Sequence, residues 1–560
     1  MAGIEKTVSL GTRIGMFADD IALWGSGDDV TEIESRLNNS LEALSKYADE
    51  FKLSFNPTKS ITTFFTTNKR LYKYEPSLFL KHQKLSYEKH PKYLGYILDP
   101  EFTSNKHIDY IVSKARKRLN IIKCIAGRDW GADATTLRTS YQALVRPILE
   151  YGYPVYCCAS QSNLNKLEKV QLSAARIITG LKRSCPSEIV LYEADLQPLN
   201  FRRQANLVKY YNKLSSLDQG NLTAIYLNNW TCNQRLKKNS PFSHVKSQLL
   251  IAENIEPLYL HSNLSTCLDL SNVSFHESLP TMLDKKDCVP DFLRQLSLEI
   301  INKIPPNDIK IFSDGSKMDR QTGSGVFIET PRENYTLHQR NPDFCSVFRS
   351  ELIAIDRGLE KILSEGHLGN TWILSDSRSS IQHLKNWALI GDKTSFSILQ
   401  KVKLISQQHE VHFQWIPSHV DIHGNELADT LAKKGLDHPV PSTSELTYLE
   451  LFARQKAQNK QKWLLPPIHY WYKAKRPGLS LSLPGDRQTN TCLSRLASGH
   501  LKSLTFSKNQ KIFPLCPKCQ QNQASPEHIL ICLGLDWNDI HSSPILVSDF
   551  LNVNGFIDLV

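Results

Sequence analysis

The sequence predicts a multidomain α/β chain, and three observations carry that expectation. At 560 residues the chain is long enough for several domains. Between residues 308 and 436, strand-like alternation and helix-like apolar stripes follow one another in turn. Four acids in that stretch, Asp314, Glu351, Asp376 and Asp429, stand beside apolar residues that place them near a core. A core does not gather that much negative charge without a compensating cation. The pattern implies a site for two divalent metals, and so phosphodiester cleavage.

The elements follow in order. Residues 308–316 alternate polar and apolar and reach Asp314-Gly315, a turn pair. A second strand, 325–328, follows a Gly323-Ser324 turn, so Asp314 is expected near the end of a hairpin's first strand. Phe348, Leu352, Ile355, Leu359 and Ile362 step by three and four, the stripe of a helix packed on a sheet, and Glu351 borders that stripe. Residues 371–377 read as a short buried strand ending in Asp376. Val411, Phe413 and Trp415 alternate with His412 and Gln414 as another strand. A loop carrying His419 comes next, and residues 424–432, with Asp429, read as a helix.

Taken together, Ser313-Asp314-Gly315-Ser316, Glu351-Leu352-x-Ala354-Ile355, Leu374-Ser375-Asp376-Ser377 and Trp415-x-Pro417-Ser418-His419 with Gly424-Asn425-Glu426-x-Ala428-Asp429 resemble ribonuclease H of type 1. The resemblance implies a five-stranded mixed sheet flanked by helices and hydrolysis of the RNA strand of an RNA–DNA hybrid. It implies that Asp314 bridges two metal ions, that Glu351 and Asp376 complete one ion's shell, and that Asp429 serves the other. It makes His419 the loop histidine that assists proton transfer and product release. All-oxygen ligands imply two Mg2+, with Mn2+ as the alternative. A single Asp at a strand end is more often a turn former or cap, and a lone histidine more often a loop residue. The order of four blocks shifts that balance.

Residues 13–24 read as a hairpin with Asp19 and Asp20 at its turn, and Phe17-Ala18-Asp19-Asp20 resembles the Phe/Tyr-Ala-Asp-Asp block of reverse transcriptases. A helix-like stretch follows over 30–50, then Leu53-Ser54-Phe55-Asn56-Pro57 and Lys92-Tyr93-Leu94-Gly95. These resemble later palm and primer-grip blocks of non-LTR retrotransposon polymerases. Residues 143–152 and 167–178 resemble the thumb region of the Jockey-like branch. A polymerase palm needs a third carboxylate well upstream, and Glu5 is the only acid before Phe17. The expectation is therefore an N-terminally truncated polymerase that does not polymerise alone, with Asp19 and Asp20 as a remnant.

Net charge is +11. Residues 69–128 hold fourteen Lys/Arg against five Asp/Glu, interleaved with Tyr72, Tyr74, Tyr87, Tyr93 and Tyr96. Cations attract phosphates and tyrosines stack on bases, so nucleic acid is the expected partner. A solvated basic face is the plain alternative. The run 114–118 is a candidate nuclear localisation block, more simply a helix face.

Cys516, Cys519, His528 and Cys532 follow the spacing Cys-x2-Cys-x8-His-x3-Cys, and a helix over 525–532 would put His528 and Cys532 on one face. Three thiolates and an imidazole suit tetrahedral structural Zn2+; a disulfide would leave His528 unexplained. Cys124, Cys157, Cys158, Cys185, Cys232, Cys267, Cys288, Cys345 and Cys492 show no paired spacing, which fits a reducing compartment. No signal peptide or membrane-spanning run is evident, so the expected location is intracellular, nucleus or cytoplasm, and not secreted.

The expected domains are a partial reverse-transcriptase palm and primer grip (1–100), a helical thumb-like region (101–200), a connection region (201–305), a ribonuclease H domain (306–437) and a helical, zinc-binding C-terminal region (445–560), with a linker at 437–444. The leading functional expectation is a ribonuclease H. The alternatives are a catalytically dead nucleic-acid-binding retrotransposon remnant and, third, an RNA-directed DNA polymerase.

Overall fold

The structure is a computed structural model that describes residues 3–101, 103–127, 130–217, 220–221, 223–225, 245, 254–258, 270–279, 289–366, 369–441, 445–508 and 510–560. Cys232, Cys267, Cys288, Arg128, linker residues 442–444 and much of the expected connection region lie outside the described residues. The chain divides into two units, Met1–Leu199 with Pro466–Val560, and Asn200–Leu465.

The first unit opens on a hairpin. Strands β1 (Thr12–Phe17) and β2 (Asp20–Gly25) pair antiparallel, Phe17 opposite Asp20, around a left-handed Ala18 (φ 53). Helix α1 (Val30–Glu50) starts where the Asp29 carboxylate accepts the Thr31 N–H, an ordinary N-cap. Leu44 and Tyr47 of α1 pack with Ile4 and the half-buried Ile14, Ile21 and Leu23 of the hairpin. The longer helices that follow include α2 (Asn105–Ile125), α3 (Ala134–Leu144), α4 (Gln161–Thr179) and α5 (Ser187–Glu193). In α2 the buried residues Ile108, Ile111, Val112, Ala115, Leu119 and Ile122 recur every three or four positions. Lys114, Arg116, Lys117 and Arg118 are exposed, so the basic run is the solvent face of an amphipathic helix.

The second unit is built on one six-stranded mixed sheet. Its strands are β3 (Val273–His276), β4 (Ile309–Met318), β5 (Gln321–Glu329), β6 (Asn334–Arg340), β7 (Thr371–Ser375) and β8 (Val411–Trp415), in the order β6-β5-β4-β7-β8-β3. β4, β5 and β6 form an antiparallel meander, while β7, β8 and β3 continue parallel to β4. Helices α6 (Pro290–Lys303), α7 (Val347–Ser364), α8 (Arg378–Lys385), α9 (Lys393–Ser406), α10 (His423–Gly435) and α11 (Tyr448–Leu464) accompany it. Ile311, Val326, Ile328, Leu352, Ile355, Ile373 and Phe413 lie in a single core between sheet and helices.

Three expectations change. The sheet has six strands, not five; β3 comes from the segment read as connection and pairs with β8. The Asp314-Gly315 pair is not a turn: β4 runs on to Met318, and the hairpin turns at Asp319 (φ 52). The glycines serve close packing instead. A Cβ on Gly315 would come within 2.7 Å of the Glu351 nitrogen, and one on Gly325 within 2.2 Å of α10 backbone at Ala428 and Ala432. Glycine is what lets two helices lie on this hairpin. Third, the region expected at 445–560 is divided. Helix α11 belongs to the second unit, where Glu450 and Glu256 hold the buried Arg349 guanidinium between them. A buried guanidinium needs such partners.

In the first unit, Pro466–Val560 adds α12 (Arg487–Ser498), the hairpin β9 (Thr505–Ser507) and β10 (Gln510–Ile512), α13 (Pro526–Leu533) and α14 (Pro544–Val553). Leu493, Leu496, Phe513, Ile529, Leu530, Val547 and Leu551 share one core. This part joins α5 through Glu193, whose buried carboxylate accepts from the Tyr472 hydroxyl and the Ser480 N–H. No described helix is long and apolar enough to cross a membrane.

Candidate functional site

The sheet and two helices bring the four sequence acids to one face. Asp314 lies mid-strand on β4, opposite Gly325. Glu351 sits in the first turns of α7, which the Ser346 hydroxyl caps by accepting the Arg349 N–H. Asp376 follows β7 directly, its carbonyl accepting from the Trp415 indole at 3.1 Å. Asp429 is on α10 and pairs with Lys433 one turn on, at 2.7 Å. Carboxylate oxygens of Asp314, Glu351 and Asp376 lie within 4.8 Å of one another.

That crowding has an electrostatic signature. Asp314 is 8% exposed and Glu351 5%. Burial first, then the charges of Asp376 and Asp429, push the Asp314 carboxyl up to about 7, with partial relief from the Gly315 N–H and Lys433. Burial, then Asp314 and Asp376, raise Glu351 well above the usual carboxylate range. The Glu351 Oε2 atom is buried and has no hydrogen-bond partner among the described residues. Like charges held this close cannot all ionise alone, and a bare buried oxygen is costly. Hard oxygens converging on one point fit a divalent cation.

A second trio stands on the α10 side: His419, Glu426 and Asp429 have ligand atoms within 4.8 Å of one another. His419 is exposed and left-handed (φ 56), in a loop that turns again at Asp421 (φ 59). Glu426 is an addition to the sequence reading. Its signal was the Glu426-x-x-Asp429 spacing, which puts both acids on one helical face.

Far along the chain, Cys516, Cys519, His528 and Cys532 also converge within 4.8 Å. The Cys516 and Cys532 sulfurs are 3.8 Å apart, and Cys519 Sγ lies 3.2 Å from His528 Nε2. A disulfide needs about 2 Å; about 3.8 Å is the edge of a tetrahedron with metal–sulfur bonds near 2.3 Å. The Gln521 and Asn522 N–H groups pull the Cys519 thiol down to about 6. Ser525 caps α13, accepting the His528 N–H, and sets the ring on the face that carries Cys532.

Other clusters read differently. Asp19 and Asp20 are exposed and join no group of three or more metal-ligand side chains among the described residues. His90, Asp99 and Glu101 converge, but the Asp99 carboxylate is occupied by the N–H groups of Glu101, Thr103 and Ser104 ahead of α2.

Comparison with known proteins agrees with the sheet. Residues 306–437 match the family model of RNase H. The probable RNA-directed DNA polymerase from transposon BS of Drosophila melanogaster is 29% identical over 173 residues, 31% of this chain and 18% of that protein. The RNA-directed DNA polymerase from mobile element jockey of Drosophila funebris is 25% identical over 203 residues, 36% of this chain and 22% of that protein. A ribonuclease H of Pseudomonas fluorescens is 30% identical over 100 residues, 16% of this chain and 65% of that protein. The homologues thus include non-LTR retrotransposon RNA-directed DNA polymerases, and residues 306–437 carry an RNase H-like domain. The chain spans about a fifth of the length of the transposon polymerases it matches, at 18% and 22%.

Proposed function

We propose that the second unit hydrolyses the RNA strand of RNA–DNA hybrids, with two Mg2+ ions held by Asp314, Glu351, Asp376 and Asp429. The observation that carries this reading is the meeting of three carboxylates within 4.8 Å around a buried Glu351 oxygen that no described group satisfies. Held there, divalent ions would supply an activated water and charge stabilisation for the leaving 3′ oxygen. Asp314 feels both Asp376 and Asp429, which suits it to stand between the two positions. His419, exposed beside Asp429, is placed to move a proton at the leaving group. At the C-terminal cluster the proposed ion is structural Zn2+. Asp19 and Asp20 are assigned no polymerase role.

The test is cleavage of a labelled RNA–DNA hybrid by the full chain with Mg2+. Asp376→Asn is expected to lower the rate by about a hundredfold or more, since the ions contribute several kcal/mol to the transition state. A parent chain that leaves the hybrid intact overturns the proposal, and equal rates from both proteins reveal a contaminant. A finer expectation concerns Glu426. Glu426→Gln should raise the Mg2+ concentration for half-maximal cleavage about tenfold, in the range of other residues that orient ligands. Saturating Mg2+ should restore the rate. An unchanged Mg2+ midpoint would remove Glu426 from the site.

A further inference from the structure

The first unit holds a cleft of about 240 Å³ that none of the chemistry above uses, lined by Lys123, Arg176, Arg487, Thr491, Arg495 and the backbone of Gly127 and Gly180. Among the described residues, four cations line it and no acid does. Lys123 ends α2, Arg176 is in the last turn of α4, and Arg487 and Arg495 come from α12. The C-terminus of α4 explains part of the assembly. Arg487 donates to the carbonyls of Ile177 and Ile178, and Arg495 to that of Gly180. Gly180 is left-handed (φ 69), and a Cβ there would come within 2.5 Å of Thr491, so α12 sits directly against the helix end.

Carbonyl caps do not balance the charge. Helix-end carbonyls are worth about half a negative charge, against four cations. Among the described residues, Lys123, Arg176 and Arg487 form no ion pair within 4.0 Å, and Arg176 Nε is buried without a hydrogen-bond partner. Burial and then Arg495 hold Arg487 below the usual range, with a smaller opposing pull from Asp133; burial, then Arg495 and Lys502, do the same to Lys182 nearby. Crowded, half-desolvated cations bind an anion that bridges them.

The rim says which anion. Trp130 is 68% exposed, and its indole lies across Gly127: a Cβ on that glycine would meet the ring at 2.5 Å. An exposed indole beside a cationic cleft is the pairing that holds a single strand, phosphates on the cations and a base on the ring. The exposed Lys114, Arg116, Lys117 and Arg118 of α2 extend the positive surface along the same helix.

We infer that this cleft binds the phosphodiester backbone of single-stranded nucleic acid, with a base stacked on Trp130. The site is separate from the acids of the second unit and stands independently of their proposed activity. The test uses the full chain carrying Asp376→Asn, without divalent metal, and a fluorescently labelled fifteen-residue oligothymidylate read by anisotropy. Lys123→Gln with Arg176→Gln is expected to weaken binding about tenfold. It should also lower the slope of log Kd against log salt by about 1.4, two phosphate contacts at about 0.7 each. Trp130→Ala, an exposed change that leaves the fold intact, should weaken binding about tenfold at unchanged slope. The charge-matched pair Lys52→Gln with Lys59→Gln, exposed residues after α1, should change neither quantity. Absence of binding by the parent, full binding by the Trp130 variant, or equal loss in the charge-matched pair overturns the inference. So does displacement by tripolyphosphate at concentrations as low as unlabelled oligonucleotide, which would mark a small-polyanion site.

Discussion

Asp314→Asn is expected to stabilise the metal-free chain by several kcal/mol at pH 8 while abolishing hybrid cleavage. The Asp314 carboxyl titrates at about 7 in the folded unit and near 3.9 when unfolded. Below pH 4 both states are protonated and the residue costs nothing. As pH rises through that window the unfolded chain ionises first, so the folded state loses relative stability until both are charged above pH 7. A gap of about three pH units corresponds to roughly 4 kcal/mol. Asparagine keeps the shape and removes the charge, and it also eases the burden on Glu351, which Asp314 raises. The gain should therefore be full at pH 8 and vanish near pH 4. Mg2+ should reverse the ranking, because it stabilises the parent and has less to bind in the variant. Hydrogen exchange of peptides covering 309–318 and 371–375, at pH 5 and pH 8 with and without Mg2+, reads all four corners. A variant less protected than the parent at pH 8 without metal would show that these acids do not strain the fold, and would weaken the case for a metal there.

Which parts of this unit can be read from sequence follows from how local their causes are. Helix α7 is legible because Phe348, Leu352, Ile355 and Leu359 repeat at helical spacing, and the same residues that fix the helix fix where Glu351 points. β7 is legible as a short apolar run and β8 as apolar–polar alternation. The hairpin of β4 and β5 is misread because glycine normally signals a turn. At Gly315 and Gly323 its cause is a helix backbone arriving from 35 to more than 100 residues away. β3 has only four residues, and what makes it a strand is its partner Val411–Gln414, distant in sequence. Glu426 looks like a solvated helix residue until its carboxylate is found within 4.8 Å of the ring of the left-handed His419 and of Asp429. The Arg349–Glu256–Glu450 network, which decides where α11 belongs, joins three segments that carry no common pattern.

Removing metal from the Cys516–Cys519–His528–Cys532 cluster should unfold the core around it, the second large effect expected here. The segment 513–533 has little regular structure of its own: a cysteine turn closed by Gln520 N–H to the Cys516 carbonyl, one bridge between Leu515 and Gln523, and the eight-residue α13. So short a helix is not stable alone in water. Yet Phe513, Cys516, Ala524, Ile529, Leu530 and Leu533 are all buried in the shared core with α12 and α14. A metal ion shared by the four side chains would hold that segment down. Without an ion they oppose it, because burial and the neighbouring Cys516 thiol raise Cys532 while backbone donors hold Cys519 near 6. Only some of the sulfurs can then be thiolates. Structural zinc in small domains contributes on the order of 10 kcal/mol, more than a core of this size holds in reserve. Chelation, or Cys516→Ser, should therefore raise amide exchange across 505–560 by at least about a thousandfold. Peptides from β4 and β7 of the second unit should stay protected. Elemental analysis of the purified chain should find one zinc, lost in the variant. Full protection of 505–560 after complete chelation, or a Cys516–Cys532 disulfide by mass spectrometry, would rule out a metal staple, and the thiols would then be packing residues that happen to meet.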